Sequence, residues 1–423
     1  MYALSRTEYR KQSVFLFAFT FNLISLHWTS TFVGSTPWII LAVGLSLFYL
    51  PLTLTSRWGI AAYPLIFIVA EEVRNHFPFG GFGWGRVAYS QPDAPYAQIA
   101  SRGGAVALSA FTLLLGAFIY FACNAKFKLI FLIPSLLLVI PNNIAITHES
   151  TALLIQGNVP QLGLDFNSRA KAVFNNHVKE TEIALALRDK VDVIVWPENS
   201  VDVDPYTNKD VYDQLQSFDK PLIIGAIIGK GEKLLNTSIL WGDNTQEIYA
   251  KQHLTPFGEY IPLRAIASKI SPLVERVDDF TPGNQGNIFV VGKAKIAPII
   301  CFELIDDKIL HDAAKGSNLF VVQTNSATFG TSPESAQQLS ITRVRAIEHS
   351  RNILSVSTTG YSAVIDYTGK VIQQTSMATA EHLYATVGLI DQKSVRDRAG
   401  DWASLGTLFW LLIVARRVHT KRR

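Results

Sequence analysis

Long stretches without a charge fill the first third of this 423-residue chain. Residues 1–150 carry nine Lys or Arg and five Asp or Glu; the remaining 273 carry 58 charged residues. A soluble domain is about one-quarter charged. The first third therefore reads as lipid-facing helix and the rest as a soluble domain. With 48% hydrophobic residues and two cysteines, Cys123 and Cys301, the chain is neither disordered, collagen-like nor a disulfide scaffold. The net charge of +4 makes no case for a nucleic-acid partner.

A helix needs about 20 apolar residues to cross the hydrocarbon. The apolar runs predict spans at Ser13–Thr31, Trp38–Thr55, Ile60–Val73, Gly104–Cys123, Leu129–Pro141 and Trp402–Ala415. The last is short, and Arg416 and Arg417 would snorkel to close the gap. Basic residues fix the orientation. Arg6, Arg10 and Lys11, then Arg57, then Lys126 with Lys128, and finally Arg416, Arg417, Lys421, Arg422 and Arg423 all fall on one side. That side is expected to be the cytoplasm, with the membrane crossed several times. A signal peptide is the competing reading of the N-terminus. The apolar run is long and lacks a small-x-small cleavage site, which favours a retained helix. The expected organisation is a transmembrane region over 1–147, an extracytoplasmic domain over 148–398, and a last helix with a basic cytoplasmic tail over 399–423.

The stretch from His76 to Arg86 is too rich in aromatic and Gly residues for a spanning helix. Phe79, Phe82 and Trp84 are its candidate lipid contacts; an aromatic-belt loop is the plainer alternative. Arg74, Arg86 and Arg102 either meet lipid phosphates or pair with Glu71, Glu72 and Asp93.

From Thr151 onward, short β-branched runs alternate with helical stretches, predicting a layered α/β domain. Strands are expected at Ala152–Gln156, Val191–Trp196, Pro221–Gly229, Thr237–Trp241, Glu247–Lys251, Ile288–Val291, Ala294–Cys301, Leu319–Thr324, Ile353–Ser357, Ser362–Ile365 and Leu383–Gly388. Helices are expected at Arg169–Asp189, Lys209–Ser217, Asp306–Lys315 and Pro333–Asn352. Residues 255–287 read as a long functional loop.

Glu198, Lys251 and Cys301 lie at or just beyond three strand ends, where α/β sheets form ligand crevices. Singly they read as a solvated acid, a surface lysine and a small core residue. Together they fit acyl transfer. A thiol becomes a nucleophile only as thiolate, which needs a base or cation nearby. Glu198 would take the proton, and Lys251 would stabilise the oxyanion. His253 and His349 leave a Cys–His pairing open. No Cys or His pair has zinc-ligand spacing, so neither a metal nor another cofactor is expected.

The words around these residues are more specific: Val195-Trp196-Pro197-Glu198, the run from Lys251 through Pro256-Phe257-Gly258-Glu259 to Pro262, and Ile300-Cys301-Phe302-Glu303. In this order they resemble the nitrilase (carbon–nitrogen hydrolase) superfamily, with its Glu-Lys-Cys triad. Combined with the apolar helices, they resemble the bacterial apolipoprotein N-acyltransferase family. Gln156–Gln161, Gly83–Gln91 and Arg398–Trp402 extend the likeness over most of the chain. The resemblance implies an α-helical multi-pass membrane region plus an α/β nitrilase-like α-β-β-α sandwich. It implies a phospholipid acyl donor, a thioester on Cys301 and a diacylglyceryl apolipoprotein acceptor. Glu198 would be the base, Lys251 the oxyanion partner, and Glu259 and Glu303 supporting acids. Two features depart from the family: six expected spans instead of the usual eight, and Phe302 where Tyr is common.

Two rival functions are a membrane-tethered nitrilase-type amidase or hydrolase that passes its acyl group to water, and a non-catalytic membrane scaffold. All three triad positions and Glu259 are present, which argues against the scaffold. Few charges inside the spans, beside a large soluble domain, argue against a transporter.

Overall fold

A computed structural model describes residues 8, 10–59, 62–124, 144–159, 171–231, 233–242, 246–269, 274–275 and 277–420. The chain divides into two units: Met1–Asn142 with Ser394–Arg423, and Asn143–Lys393. The expected span Leu129–Pro141 lies outside the described residues, as do residues 6, 126, 128, 160, 161 and 421–423.

The first unit is helical. Its main helices are α1 (Arg10–Ser25), α2 (Ser35–Leu47), α3 (Ala62–His76), α4 (Ala100–Asn124) and α9 (Trp402–Thr420). Among the described residues, two stretches, Ser35–Trp58 and Ala97–Tyr120, are long and apolar enough to cross a membrane. The expected first span is shorter than its apolar run, because the chain turns after Ser25. The helices pack through Val14, Ala18, Leu52, Ile66, Phe67, Val106 and Ala403. They turn other apolar side chains outward, among them Leu16, Ile24, Leu405 and Phe409.

The second unit holds two six-stranded sheets. The first comprises β1 (His148–Gln156), β2 (Val193–Val195), β3 (Leu222–Lys230), β4 (Lys233–Trp241), β5 (Glu247–Ala250) and β12 (Glu381–Leu389), in the order β12-β1-β2-β3-β4-β5. The second comprises β6 (Phe289–Val291), β7 (Ala294–Ile300), β8 (Leu319–Thr324), β9 (Ile353–Ser357), β10 (Ala363–Ile365) and β11 (Val371–Gln374), in the order β11-β10-β9-β8-β7-β6. Strand alternation explains the layering, since successive side chains point to opposite faces. Ala152, Leu154, Val193, Val195 and Ile223 face inward to meet Ile296, Ile300, Val321, Leu354 and Val356 of the other sheet. Leu153, Ile155, Ile194 and Trp196 point the other way. They pack under Phe174 and Ala184 of α5 (Ala172–Leu187) and Val211 and Leu215 of α6 (Lys209–Gln216). Helices α7 (Asp307–Gly316) and α8 (Glu334–His349) lie against the second sheet. The result is a nitrilase-like α-β-β-α sandwich.

Parallel pairing of β1 with β2, β2 with β3, β7 with β8 and β8 with β9 brings several strand C-termini to one end of each sheet. Glu198 and Cys301 follow two of these ends. Gln323 at the end of β8 crosses the sandwich, donating from Nε2 to the Trp196 carbonyl at 2.7 Å. This bond joins the two sheets next to Glu198.

Leu354 is fully buried between the sheets. Leu354→Ala is expected to cost about 2–5 kcal/mol, read as a lower thermal-unfolding midpoint of the full-length protein. An unchanged midpoint would contradict the close packing of this layer.

Candidate active site

Lys251 is the centre of the site. It is 1% exposed, and its Nζ lies 3.1 Å from Glu198 Oε1 and 2.8 Å from Glu259 Oε2. A third oxygen, Thr255 Oγ1, is 3.4 Å away. Burial alone would neutralise a lysine. Here burial opposes the charge, but Glu198 and Glu259 outweigh it, and the net effect holds the ammonium protonated well above its ordinary range.

Asn236 on β4 joins the two acids. Its Nδ2 donates to Glu198 Oε1 at 2.8 Å and to Glu259 Oε1 at 2.6 Å. The Thr255 amide donates to Glu259 Oε2 at 2.7 Å. Burial raises the Glu259 pKa, yet Lys251 and these donors prevail and set it below the usual carboxylate range. Both oxygens of Glu259 are thus engaged. Glu198 uses only Oε1 for Lys251 and Asn236.

Backbone approach fixes the carboxylate and the ammonium. A Cβ on Gly225 of β3 would stand 2.6 Å from the Glu198 Cα, so only glycine lets the Glu198 turn lie on the sheet. A Cβ on Gly283 would stand 2.9 Å from the Ala250 carbonyl carbon, and the Gly283 amide donates to the Lys251 carbonyl at 2.8 Å. Lys251 is held on its other side by its own amide, which donates to the Asn236 carbonyl at 2.9 Å.

Cys301 begins the turn after β7, with φ of +48°, a left-handed conformation that non-glycine residues seldom adopt. Such strain gathers where a side chain must be held in one direction. The residue is free and half-buried. Burial pushes its thiol well above its ordinary range, Glu198 adds to the rise, and Lys251 opposes it. Gln338 on α8 donates from Nε2 to Cys301 Sγ at 3.5 Å.

Glu303, fully buried, clamps this turn. It accepts from the Ile300 amide at 2.7 Å, from Tyr249 Oη at 2.7 Å and from the Gln252 amide at 2.6 Å. These bonds tie the Cys301 turn to the segment carrying Lys251. Burial still lifts the Glu303 pKa to about 7. Glu334 on α8 is also buried and has an oxygen, Oε2, without a hydrogen-bond partner. Burial, reinforced by Glu198, raises it to about 8.

The expected Glu198, Lys251 and Glu259 therefore meet in one hydrogen-bonded cluster, with Cys301 in electrostatic reach of all three. His253 does not pair with the thiol: its Nδ1 lies 2.9 Å from Asp306 Oδ2, and its ring stands edge-on to Phe302. His349 packs its ring on Phe320. Gln156 is a structural tie, bonded through both ends of its amide to Ser362, Thr375, Ser376 and Thr379. In the helical unit Phe79 is exposed and Phe82 half-buried, whereas Trp84 is buried against Trp28 with ring centroids 5.1 Å apart. Arg86 bonds Glu72 at 2.5 Å and Arg74 bonds Tyr49 Oη at 2.9 Å, so the ion-pair alternative holds for Arg86. Asn236, Thr255, Glu334 and Gln338 escaped the sequence reading. A polar Asn236-Thr237-Ser238 run inside an apolar strand was the available signal for the first.

A buried lysine gripped by two glutamates, beside a strained cysteine at a strand end, marks a carbon–nitrogen hydrolase, and residues 154–397 match the carbon-nitrogen hydrolase family. Residues 1–118 match the apolipoprotein N-acyltransferase N-terminal domain. The chain is 33% identical to an apolipoprotein N-acyltransferase of Mycolicibacterium smegmatis, over 88% of this chain and 72% of that one. It is 29% identical to one of Aquifex aeolicus, over 86% and 88%, and 28% identical to one of Shewanella oneidensis, over 79% and 69%. The chain belongs to the apolipoprotein N-acyltransferase family.

The buried acids set a pH dependence of stability. An acid with a raised folded pKa keeps a proton that the unfolded chain has released. Glu303 and Glu334 thus lower stability as pH rises from 4.5 through their folded values of about 7 and about 8. Glu259, depressed, acts in the opposite sense and only below 4.5. The thermal midpoint should fall between about pH 5 and about pH 8, and Glu334→Gln should flatten that fall. An equal slope in the variant would contradict the buried neutral acid.

Proposed function

We propose that this chain transfers an acyl chain from a phospholipid to the α-amino group of the N-terminal diacylglyceryl-cysteine of apolipoproteins, completing their maturation. The observation that carries this reading is the buried Lys251 ammonium between Glu198 and Glu259, with the Cys301 sulfur in its field. The family supplies the substrate class.

The reaction runs in two halves. Glu198 accepts the thiol proton at Oε2, the oxygen that Lys251 and Asn236 leave open. The Cys301 thiolate attacks the phospholipid ester carbonyl, and a C–S bond forms. Lys251 faces the resulting oxyanion, a contribution of about 10²–10³ in rate for a single donor. The C–O bond breaks, the lysophospholipid oxygen takes the proton back from Glu198, and a thioester remains. In the second half the acceptor amine attacks the thioester and gives its proton to Glu198. The C–S bond breaks, an amide forms, and the proton returns to sulfur. Glu259 holds Lys251 in place, and Glu303 holds the nucleophile turn.

The proposed site of action is the bacterial cytoplasmic membrane, crossed several times, with the catalytic unit on the extracytoplasmic side. Outward-facing Leu16, Ile24, Leu405 and Phe409 suit contact with lipid tails. Phe79 is the most exposed of the three aromatic candidates and Phe82 is partly so; Trp84 serves the packing of its own unit. The basic residues after the last helix suit a cytoplasmic tail.

Membranes holding the protein are incubated with acyl-labelled phospholipid and the protein is recovered. Hydroxylamine-labile label on the Cys301 peptide is expected in the wild type and none in Cys301→Ala. Label that persists in Cys301→Ala refutes the nucleophile.

A further inference from the structure

Helix α8 is fastened to the nucleophile turn. The guanidinium of Arg345, fully buried, donates to the Leu304 carbonyl at 2.8 Å and pairs with Glu348 at 2.6 Å and Asp307 at 2.7 Å. Gln338 lies about two helical turns before Arg345 and on the same face. Its backbone carbonyl accepts from Thr342 Oγ1 at 2.8 Å, its side chain is buried, and its Nε2 reaches the Cys301 sulfur at 3.5 Å. Neither the triad chemistry nor the sequence words account for this contact.

We propose that Gln338 is a further catalytic residue, whose side-chain N–H is the fixed donor that stabilises the Cys301 sulfur when it carries negative charge. The inference rests on Cys301 being the nucleophile. The sulfur is anionic twice: when its proton has moved to Glu198, and when the C–S bond of the thioester breaks and its electron pair returns to sulfur. A hydrogen bond to a charged acceptor is stronger than one to a neutral acceptor. The Gln338 bond therefore favours the thiolate over the thiol. Being neutral, the amide does this without adding charge to a cavity that already holds Lys251, Glu198 and Glu259.

Glu334 stands one turn earlier on the same face of α8 and interacts electrostatically with both Glu198 and the thiol. An ionised Glu334 would oppose the thiolate. Retention of its proton, through burial, leaves the amide contact as the influence of α8 on the sulfur.

The test is the pH dependence of Cys301 alkylation by iodoacetamide. It uses the full-length protein in bilayer discs, with Cys123→Ser removing the other thiol. Gln338→Met keeps the length and loses the donor; Gln338→Ala is run beside it. Both should raise the pH midpoint of alkylation by about one unit, making the reaction about tenfold slower at neutral pH. A role in packing alone would lower the thermal midpoint and leave the alkylation midpoint where it was. An unshifted alkylation midpoint in whichever variant folds overturns the proposal. Failure of the Cys301 assignment shows separately, as acyl label surviving in Cys301→Ala.

Discussion

The catalytic unit depends on one buried ammonium shared by two carboxylates. Removing Lys251, Glu198 and Glu259 from water costs several kcal/mol per ion before any attraction is counted. The contacts of 2.8 and 3.1 Å to Lys251, with Asn236 bridging both acids, offset that cost. The cluster fixes more than itself. Asn236 lies on β4, Glu198 follows β2, Lys251 follows β5, and Gly225 and Gly283 exist where side chains would push these segments apart. Loss of Lys251 would leave two buried carboxylates without their cation, a cost of about 3–5 kcal/mol.

In the proposed reaction, the same cluster would let a thiol with a raised pKa serve as a nucleophile. Burial and Glu198 disfavour the thiolate. Transfer of the proton from sulfur to Glu198 moves one negative charge within the cavity and leaves the total unchanged. Lys251 remains to oppose it, and no ion crosses between water and the low-dielectric interior. In the proposed mechanism the charge appears on sulfur as Glu198 takes the proton.

Much of this architecture was legible in the chain. Leu319–Thr324 and Ile353–Ser357 are short, mostly apolar runs buried along their whole length, and buried strands read that way. Strand β11 was missed because Val371–Gln374 is a short, polar, largely exposed edge. Glu198, Lys251, Glu259 and Cys301 announce themselves by their neighbouring words and by their positions at strand ends. Asn236, Gln338 and Glu334 do not. An amide inside a strand or on a helix face has no periodic signal, and its importance arises only when the fold brings it to a charge. The helical unit shows the limit of hydropathy alone. Apolar runs located the helices, but turns at Leu26 and Gly34 divide them in ways that composition does not encode.

In the proposed reaction the cluster delivers an acyl group from sulfur to an amine. The most direct test is single turnover from the isolated acyl-enzyme, free of phospholipid and mixed with a diacylglyceryl lipopeptide bearing a free N-terminus. Thioester loss should match the appearance of N-acylated lipopeptide, at a rate rising with lipopeptide concentration. Thioester loss at one constant rate, with free fatty acid as its product, would contradict the account and identify a hydrolase.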